Sequence, residues 1–291
     1  AIAFGPGMEE AVAAAAAAGC VTLAFEPCGA EWELLPPTGD PMTSQELAET
    51  AYHVLWELVH VFFDHRGLLE GREARRVHDT GASSFLYPFL AESETDLESV
   101  VHDVRRSVLL KAEEVGELRR QTVGENAEVL AAAAAALRER LDAGGKLLAL
   151  GNGGSATDAM DAVADFRDPP AGMPARPAID LAEDPAIITA IANDVGVEEI
   201  FQRQVIAYGR EGDVLLAIST SGNSGNVIAA LAEARARGLL SIAMVGYDGG
   251  RVAAEELADH VVVTRSENIP RIQEAQATAY HLLRELVEAA P

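Results

Sequence analysis

Two glycine- and serine-rich loops, each lying between an apolar run and a helix-like segment, constrain this chain more than any other feature. GNGGS occupies 151–155 after Leu147-Leu148-Ala149-Leu150, and STSGNSGN occupies 219–226 after Val214-Leu215-Leu216-Ala217-Ile218. A loop that leaves a buried strand and enters a helix presents free backbone N–H groups, and the helix dipole adds partial positive charge. Glycine lets the backbone approach an anion closely, and hydroxyls add donors. The second loop carries Ser219, Thr220, Ser221 and Ser224. The pair therefore reads as a phosphate cradle; the plainer alternative is two ordinary strand-to-helix turns.

Around these loops the pattern alternates. Apolar runs at Leu147–Leu150, Ala178–Leu181, Val214–Ser219, Ser241–Val245 and His260–Val263 are separated by helical segments at Ala156–Phe166, Ala186–Ile191, Ile200–Tyr208, Gly225–Arg237 and Val252–Leu257. Two more helices precede the alternation, Leu97–Arg120 and Val123–Leu141, and one follows it, Pro270–Ala289. Continuous apolar strands alternating with helices predict an α/β fold. Its parallel sheet carries helices on both faces and binds ligands at the carboxyl ends of the strands, where both loops fall.

The chain also repeats itself. QELAETAYHVLWELV (45–59) aligns without gaps on QEAQATAYHLLRELV (273–287), with ten of fifteen positions identical, among them Gln45/Gln273, Tyr52/Tyr280 and His53/His281. Upstream, Ala1–Phe4, a helix-like run and Val21–Phe25 parallel Ala217–Thr220, its helix and Ser241–Val245. Residues 1–92 thus predict a partial, degenerate half-domain plus connection ahead of a complete domain at 93–291. In the half-domain the loop reads GPGM (Gly5–Met8), without hydroxyls, and nothing matches GNGGS, so a packing role replaces ligand binding. A poorly periodic stretch joins the two between Arg66 and Thr95. His53, His60 and His65 read as helix-interface residues, since no acidic motif accompanies them.

Composition narrows the partners. A formal net charge of −24 opposes DNA or RNA as a ligand, because phosphate backbones recruit basic surfaces. A local pocket of backbone donors still binds a phosphate. The two cysteines, Cys20 and Cys28, lack metal-site spacing and read as reduced thiols of a cytoplasmic protein. The apolar run Ala11–Phe25 is too short to span a bilayer, and Met8-Glu9-Glu10 stands where a signal peptide carries positive charge, so no membrane partner is expected.

GNGGSATDAMDAVADF (151–166), IANDVGVEEIFQRQV (191–205), GREGDVLLAISTSGNSGNVIAAL (209–231) and RIQEAQATAYHLLRELVE (271–288) resemble the sugar isomerase (SIS) fold, a flavodoxin-like three-layer architecture. Within it they look most like the phosphoheptose isomerases, which interconvert sedoheptulose 7-phosphate and an aldoheptose 7-phosphate. The resemblance implies a carbohydrate-binding metabolic enzyme with a sugar phosphate ligand. It also implies a tetramer with sites between subunits, often a zinc ion, and no organic cofactor. By motif, Asn152, Gly153, Gly154 and Ser155 contact the sugar phosphate, Asn193 and Asp194 its open-chain hydroxyls, and Ser219, Thr220, Ser221 and Ser224 its phosphate. His281 stands where the family has a catalytic, metal-binding histidine, and Gln273 where it has a glutamine ligand.

Two departures accompany the match. On the helix after GNGGS the family has a histidine and then a glutamate; here they are Asp161 and Asp165, whose spacing of four keeps both carboxylates on one helix face. The family's usual arginine after that helix gives way to Arg167-Asp168-Pro169-Pro170, and its Tyr-Ala-Asp before RIQE to Asn268-Ile269-Pro270, both substrate contacts in the family. The expected chemistry is aldose–ketose isomerisation through an enediol, with Asp165 as base and His281 as acid. Asp161, Asp165, Gln273 and His281 form the expected set for a divalent ion, oxygen-rich enough for Mn²⁺, Fe²⁺ or Ni²⁺ as well as Zn²⁺. Plainer readings are a solvated face for the two aspartates and a buried interface histidine for His281. A non-catalytic phosphosugar sensor or complex organiser is the alternative function. The apolar helix around Trp56 predicts that residues 1–92 pack against a SIS domain, giving a homodimer or larger homo-oligomer.

Overall fold

The computed structural model describes residues 1–64 and 97–289. The chain divides into two compact units, Ala1–Lys111 and Ala112–Pro291. The domain boundary expected at 92–93, His65 and the connection from Arg66 to Thr95 lie outside the described residues, as does the side chain of His60.

In the first unit β1 (Ile2–Ala3), β2 (Leu23–Ala24) and β3 (Trp32–Glu33) form a parallel sheet in that order. Helix α1 (Glu9–Ala17) joins the first two strands, and α2 (Pro41–Asp64) follows the third. Strand β3 is absent from the sequence reading, because Gly29 and Pro36-Pro37 around it look like loop. Leu34 N–H donating to Ala24 O at 2.8 Å fixes its place. Cys20 and Cys28 are free thiols.

The second unit carries the predicted α/β core. After the long helix α3 (Leu97–Glu125) and α4 (Ala127–Asp142) come β4 (Leu147–Gly151), α5 (Gly154–Arg167), β5 (Ala178–Asp180) and α6 (Pro185–Asp194). A short turn of helix (Val197–Glu199), α7 (Ile200–Tyr208), β6 (Val214–Ser219) and α8 (Gly225–Ala236) continue the chain. It ends with β7 (Leu240–Gly246), α9 (Gly250–Ala254), β8 (His260–Thr264) and α10 (Ile269–Glu288). The five strands are parallel in the order β5-β4-β6-β7-β8. The chain reverses direction across the sheet between β4 and β6, the position where open α/β sheets bind ligands. Both glycine-serine loops flank it.

Period-two alternation explains the layers. Leu147, Ala149, Val214, Leu216, Ile242 and Met244 face α4, α5 and α10. Leu148, Leu150, Leu215, Ala217, Ala243 and Val245 face α7 and α8. Every residue of β4 and β6 is buried, and each buried leucine stabilises by about 1.5–3 kcal/mol.

Helix ends follow local chemistry. Asp184 caps α6 by accepting from Ala186 and Ile187 N–H, ahead of Pro185. The boundary expected near Val123 falls instead at Asn126. Its amide donates to Val263 O and accepts from Val263 N–H, both at 3.0 Å, so one side chain satisfies the open edge of β8. Among the described residues no helix is long and apolar enough to cross a membrane.

Candidate active site

The two loops meet at the carboxyl edge of the sheet. Asn152, after β4, and Asn226, in the first turn of α8, exchange reciprocal amide hydrogen bonds at 2.9 Å. Asn226 also accepts from Val227 N–H at 3.0 Å. Sequence reasoning quoted Asn226 as the last letter of STSGNSGN without giving it a role; here it is the tie between the loops.

The first loop turns on Gly153, whose φ of 57° is a left-handed conformation that glycine adopts without strain. Ser155 N–H donates to Asn152 O at 3.0 Å, and the Ser155 side chain is buried. Gly154 permits a close approach: a methyl group there would stand 1.9 Å from Gln273 Nε2. Gln273, at the start of α10, therefore lies directly against the GNGGS loop.

In the second loop Ser219 Oγ accepts from Gly222 N–H and Ser221 Oγ from Asn223 N–H, each at 3.2 Å. A hydroxyl that accepts from the backbone keeps its own O–H to donate, so both hydroxyls retain a donor. Ser224 is the N-cap of α8 and spends no side-chain hydrogen bond on the cap. Thr220 O anchors the loop to β7 by accepting from Gly246 N–H at 3.0 Å. The turn before α7 adds Glu198, whose carboxyl carbon sits 2.9 Å from where a Gly225 methyl would be. Asn193 donates to Asp194 Oδ1 at 2.7 Å, and both side chains are exposed at the end of α6.

A second polar group lies between α5 and α10. The two helices run parallel in register: Gln273 abuts Gly154 at one end, and Arg284 Nε donates to Asp165 O at 3.0 Å at the other. Between them His281 Nε2 stands 3.4 Å from Asp165 Oδ2, with side chains 4% and 17% exposed. Burial pushes the Asp165 carboxyl above its ordinary value, partly offset by the electrostatic influence of His281 and Arg284 beside it. Asp161 lies one turn back on α5, half-buried. Gln273 and His281 are eight residues apart in a continuous helix, about 12 Å, so they serve the two ends of the site separately. Among the described residues no group of three or more His, Cys, Asp or Glu side chains is placed to hold a metal ion.

Arg284 is the residue that sequence reasoning missed. It is fully buried, donates to Asp165 O, Glu288 Oε1 (2.9 Å) and Pro174 O (2.8 Å), and stacks 4.7 Å from the Phe166 ring centroid. The internal repeat held the signal, since Trp56 stands at its place in the other copy. The residues at the second departure from the family motif have local structural roles. Arg167 Nε holds Ala178 O at 2.8 Å, and Asn268 with Pro270 starts α10, Asn268 accepting from Arg271 N–H at 3.4 Å.

The SIS domain family matches residues 112–246. A phosphoheptose isomerase of Thermodesulfovibrio yellowstonii is 44% identical over 177 residues, 60% of this chain and 87% of that protein. The Desulfovibrio desulfuricans phosphoheptose isomerase is 44% identical over 178 residues, 61% and 84% of the two chains. Among solved structures, the phosphoheptose isomerase of Neisseria gonorrhoeae superposes with a TM-score of 0.60 at 35% identity, covering 64% of this chain and all of the other. That of Francisella tularensis gives 0.56 at 35% identity, covering 62% and 98%.

Proposed function

Because the chain belongs to the phosphoheptose isomerase family of SIS-domain proteins, we propose that it isomerises a phosphorylated sugar, interconverting sedoheptulose 7-phosphate and an aldoheptose 7-phosphate. One observation carries the reading. A cradle of neutral hydroxyl and backbone donors and a buried carboxylate–imidazole pair are joined by a single rigid frame, the loops through Asn152–Asn226 and the helices through Gln273 and Arg284. A substrate anchored by its phosphate at the serine loop extends its reacting end toward α5 and α10.

Isomerisation moves a proton between adjacent carbons through an enediol. Asp165 is the base: its burial raises its affinity for a proton, which suits a carboxylate that must take one from carbon and return it. His281, 3.4 Å away, relays protons on the substrate oxygens. Asn193 and Asp194 supply a donor amide and an acceptor carboxylate for sugar hydroxyls. The four residues expected to hold a divalent ion, Asp161, Asp165, Gln273 and His281, do not meet around one point, since Gln273 and His281 stand about 12 Å apart along α10, and no step is assigned to a metal. The acid–base steps above use protein groups only.

Incubation with sedoheptulose 7-phosphate, with and without divalent metals, tests the proposal, and turnover lost in Asp165→Asn and His281→Gln is the expected result. Binding without turnover under any metal would favour the non-catalytic sensor instead. Metal analysis after chelator-free purification addresses the ion. Turnover is expected to survive chelation, and a stoichiometric ion lost on Asp161→Ala would overturn the metal-free route.

A further inference from the structure

The strand order places the serine loop, after β6, between the GNGGS loop on the β4 side and the loops after β7 and β8 on the other. On that second side Ser221, Asn223, Tyr247, Asp248, Arg265, Ser266 and Glu267 line a depression of ≈ 720 Å³. Ser221 belongs to the serine loop, so the depression and the loop share a wall. Every donor of the cradle is neutral, and the chain carries a net charge of −24. A phosphate monoester dianion held there meets an unfavourable long-range field unless a cation stands close.

Among the residues lining the depression Arg265 is the only cation. The neighbouring Arg251 is engaged: Nε and a terminal nitrogen hold the two Glu255 oxygens at 2.7 and 3.2 Å. Arg265 is held loosely. Its Nε lies 3.4 Å from Glu125 Oε2, with side chains 55% and 45% exposed, a geometry worth little in water and readily exchanged for a better anion. Of the two carboxylates on the rim, Asp248 Oδ1 accepts from Gly250 N–H at 3.2 Å, which spends it on the turn, while Glu267 leaves a repulsion that the guanidinium must outweigh.

We propose that this depression is the subsite for the outward face of the ligand's phosphate, with Arg265 leaving Glu125 to pair with a terminal oxygen. The inference rests on the phosphosugar reading above. Inorganic phosphate is the probe, followed by calorimetry and as an inhibitor of sedoheptulose 7-phosphate turnover. Arg265→Gln is expected to weaken phosphate binding about tenfold, raise KM by a similar factor with a smaller effect on kcat, and flatten the salt dependence of binding. Arg265→Lys should recover part of the loss. Glu125→Gln, which frees the guanidinium, should tighten phosphate binding about two- to threefold. A gain is a result that damaged folding does not imitate. Unchanged phosphate affinity in both Arg265→Gln and Glu125→Gln, with Ser221→Ala weakened, would overturn the subsite and leave the cradle standing. A parent protein that neither binds phosphate nor turns over a sugar phosphate would overturn the phosphosugar reading and the subsite with it.

Discussion

Replacing Arg284 with methionine tests whether one guanidinium closes the floor of the site. The side chain is fully buried and spans three segments: the end of α5 through Asp165 O, the loop through Pro174 O, and its own helix through Glu288. Methionine fills much of the volume but donates nothing, so two part-buried carbonyls lose charged donors, at about 1–3 kcal/mol each. The stacking on Phe166 adds about 1–2 kcal/mol. Glu288 is not orphaned, since Arg176 Nε still reaches it at 3.0 Å, and relief of the guanidinium's desolvation offsets part of the loss. The net expectation is a destabilisation of about 3–5 kcal/mol. For a unit of this size that lowers Tm by roughly 6–20 °C. Urea and thermal unfolding followed by circular dichroism should show a lower midpoint with an unchanged m-value. Arg284→Lys keeps the charge without the planar fork and should fall between parent and methionine. Because the same guanidinium fixes the backbone of Asp165, kcat should fall in the methionine variant even well below its Tm. A loss under about 1 kcal/mol, with kcat intact, would refute the reasoning.

Other outcomes follow from the same frame. Ser221→Ala and Ser224→Ala should each weaken phosphosugar binding by about 1–3 kcal/mol by calorimetry, and an unaffected double variant would move the ligand elsewhere. The acid limb of kcat/KM should lie above the ordinary Asp value of 3.8, since burial raises Asp165. A carboxyl raised on folding contributes stability at low pH that is lost as pH rises through its folded-state pKa. Asp165→Asn should therefore be inactive yet gain in stability over the parent as pH rises through that titration, and melts showing the opposite trend would remove the buried carboxylate from the argument. Light scattering should report a dimer or larger assembly, with Tyr52, Trp56 and Val59 of α2 38%, 45% and 50% exposed in the single chain. A soluble monomer, or a 1–92 deletion that leaves association unchanged, would refute it.

What the sequence made legible, and what it hid, divides along the range of the interaction. Strand β6 and helix α7 begin and end at the residues that apolar patterning marks, because burial on both faces of a parallel strand leaves an uninterrupted signal. The loops were legible for the same local reason, glycine and serine being required where backbone must turn and donate. Asn126, Asn226 and Arg284 were not. Each acts through hydrogen bonds to a segment far away in sequence, Asn126 at Val263 and Arg284 at Asp165, and a single polar residue within a helical pattern announces no partner. Helix α9 ends at Ala254 rather than near Leu257 because Glu256, with φ of 51°, takes the left-handed turn that stops it. Asp165 and His281 were readable only through family motif, since a carboxylate and an imidazole 116 residues apart share no local pattern.

The repeated helix follows the same strand pattern in both units. In both, three parallel strands run in sequence order before the repeated helix, β1-β2-β3 with α2 and β6-β7-β8 with α10. The pair that carries the proposed chemistry takes Asp165 from α5, in the first half of the complete domain, and His281 from α10, in the second. Residues 1–64 hold His53 at the matching place in α2, after the parallel strands β1, β2 and β3. Other matching positions differ in kind. Ser219 and Thr220 become Ala3 and Phe4, and Phe4 stacks on Phe25 at 5.0 Å and meets Tyr52 edge-on at 5.8 Å, so aromatic packing occupies the head of the loop where donors stood. Arg284, whose partners lie on and just beyond α5, becomes Trp56. The changes at Ala3, Phe4 and Trp56 all exchange polar side chains for apolar ones, and Phe4 uses its ring in packing on Phe25 and Tyr52.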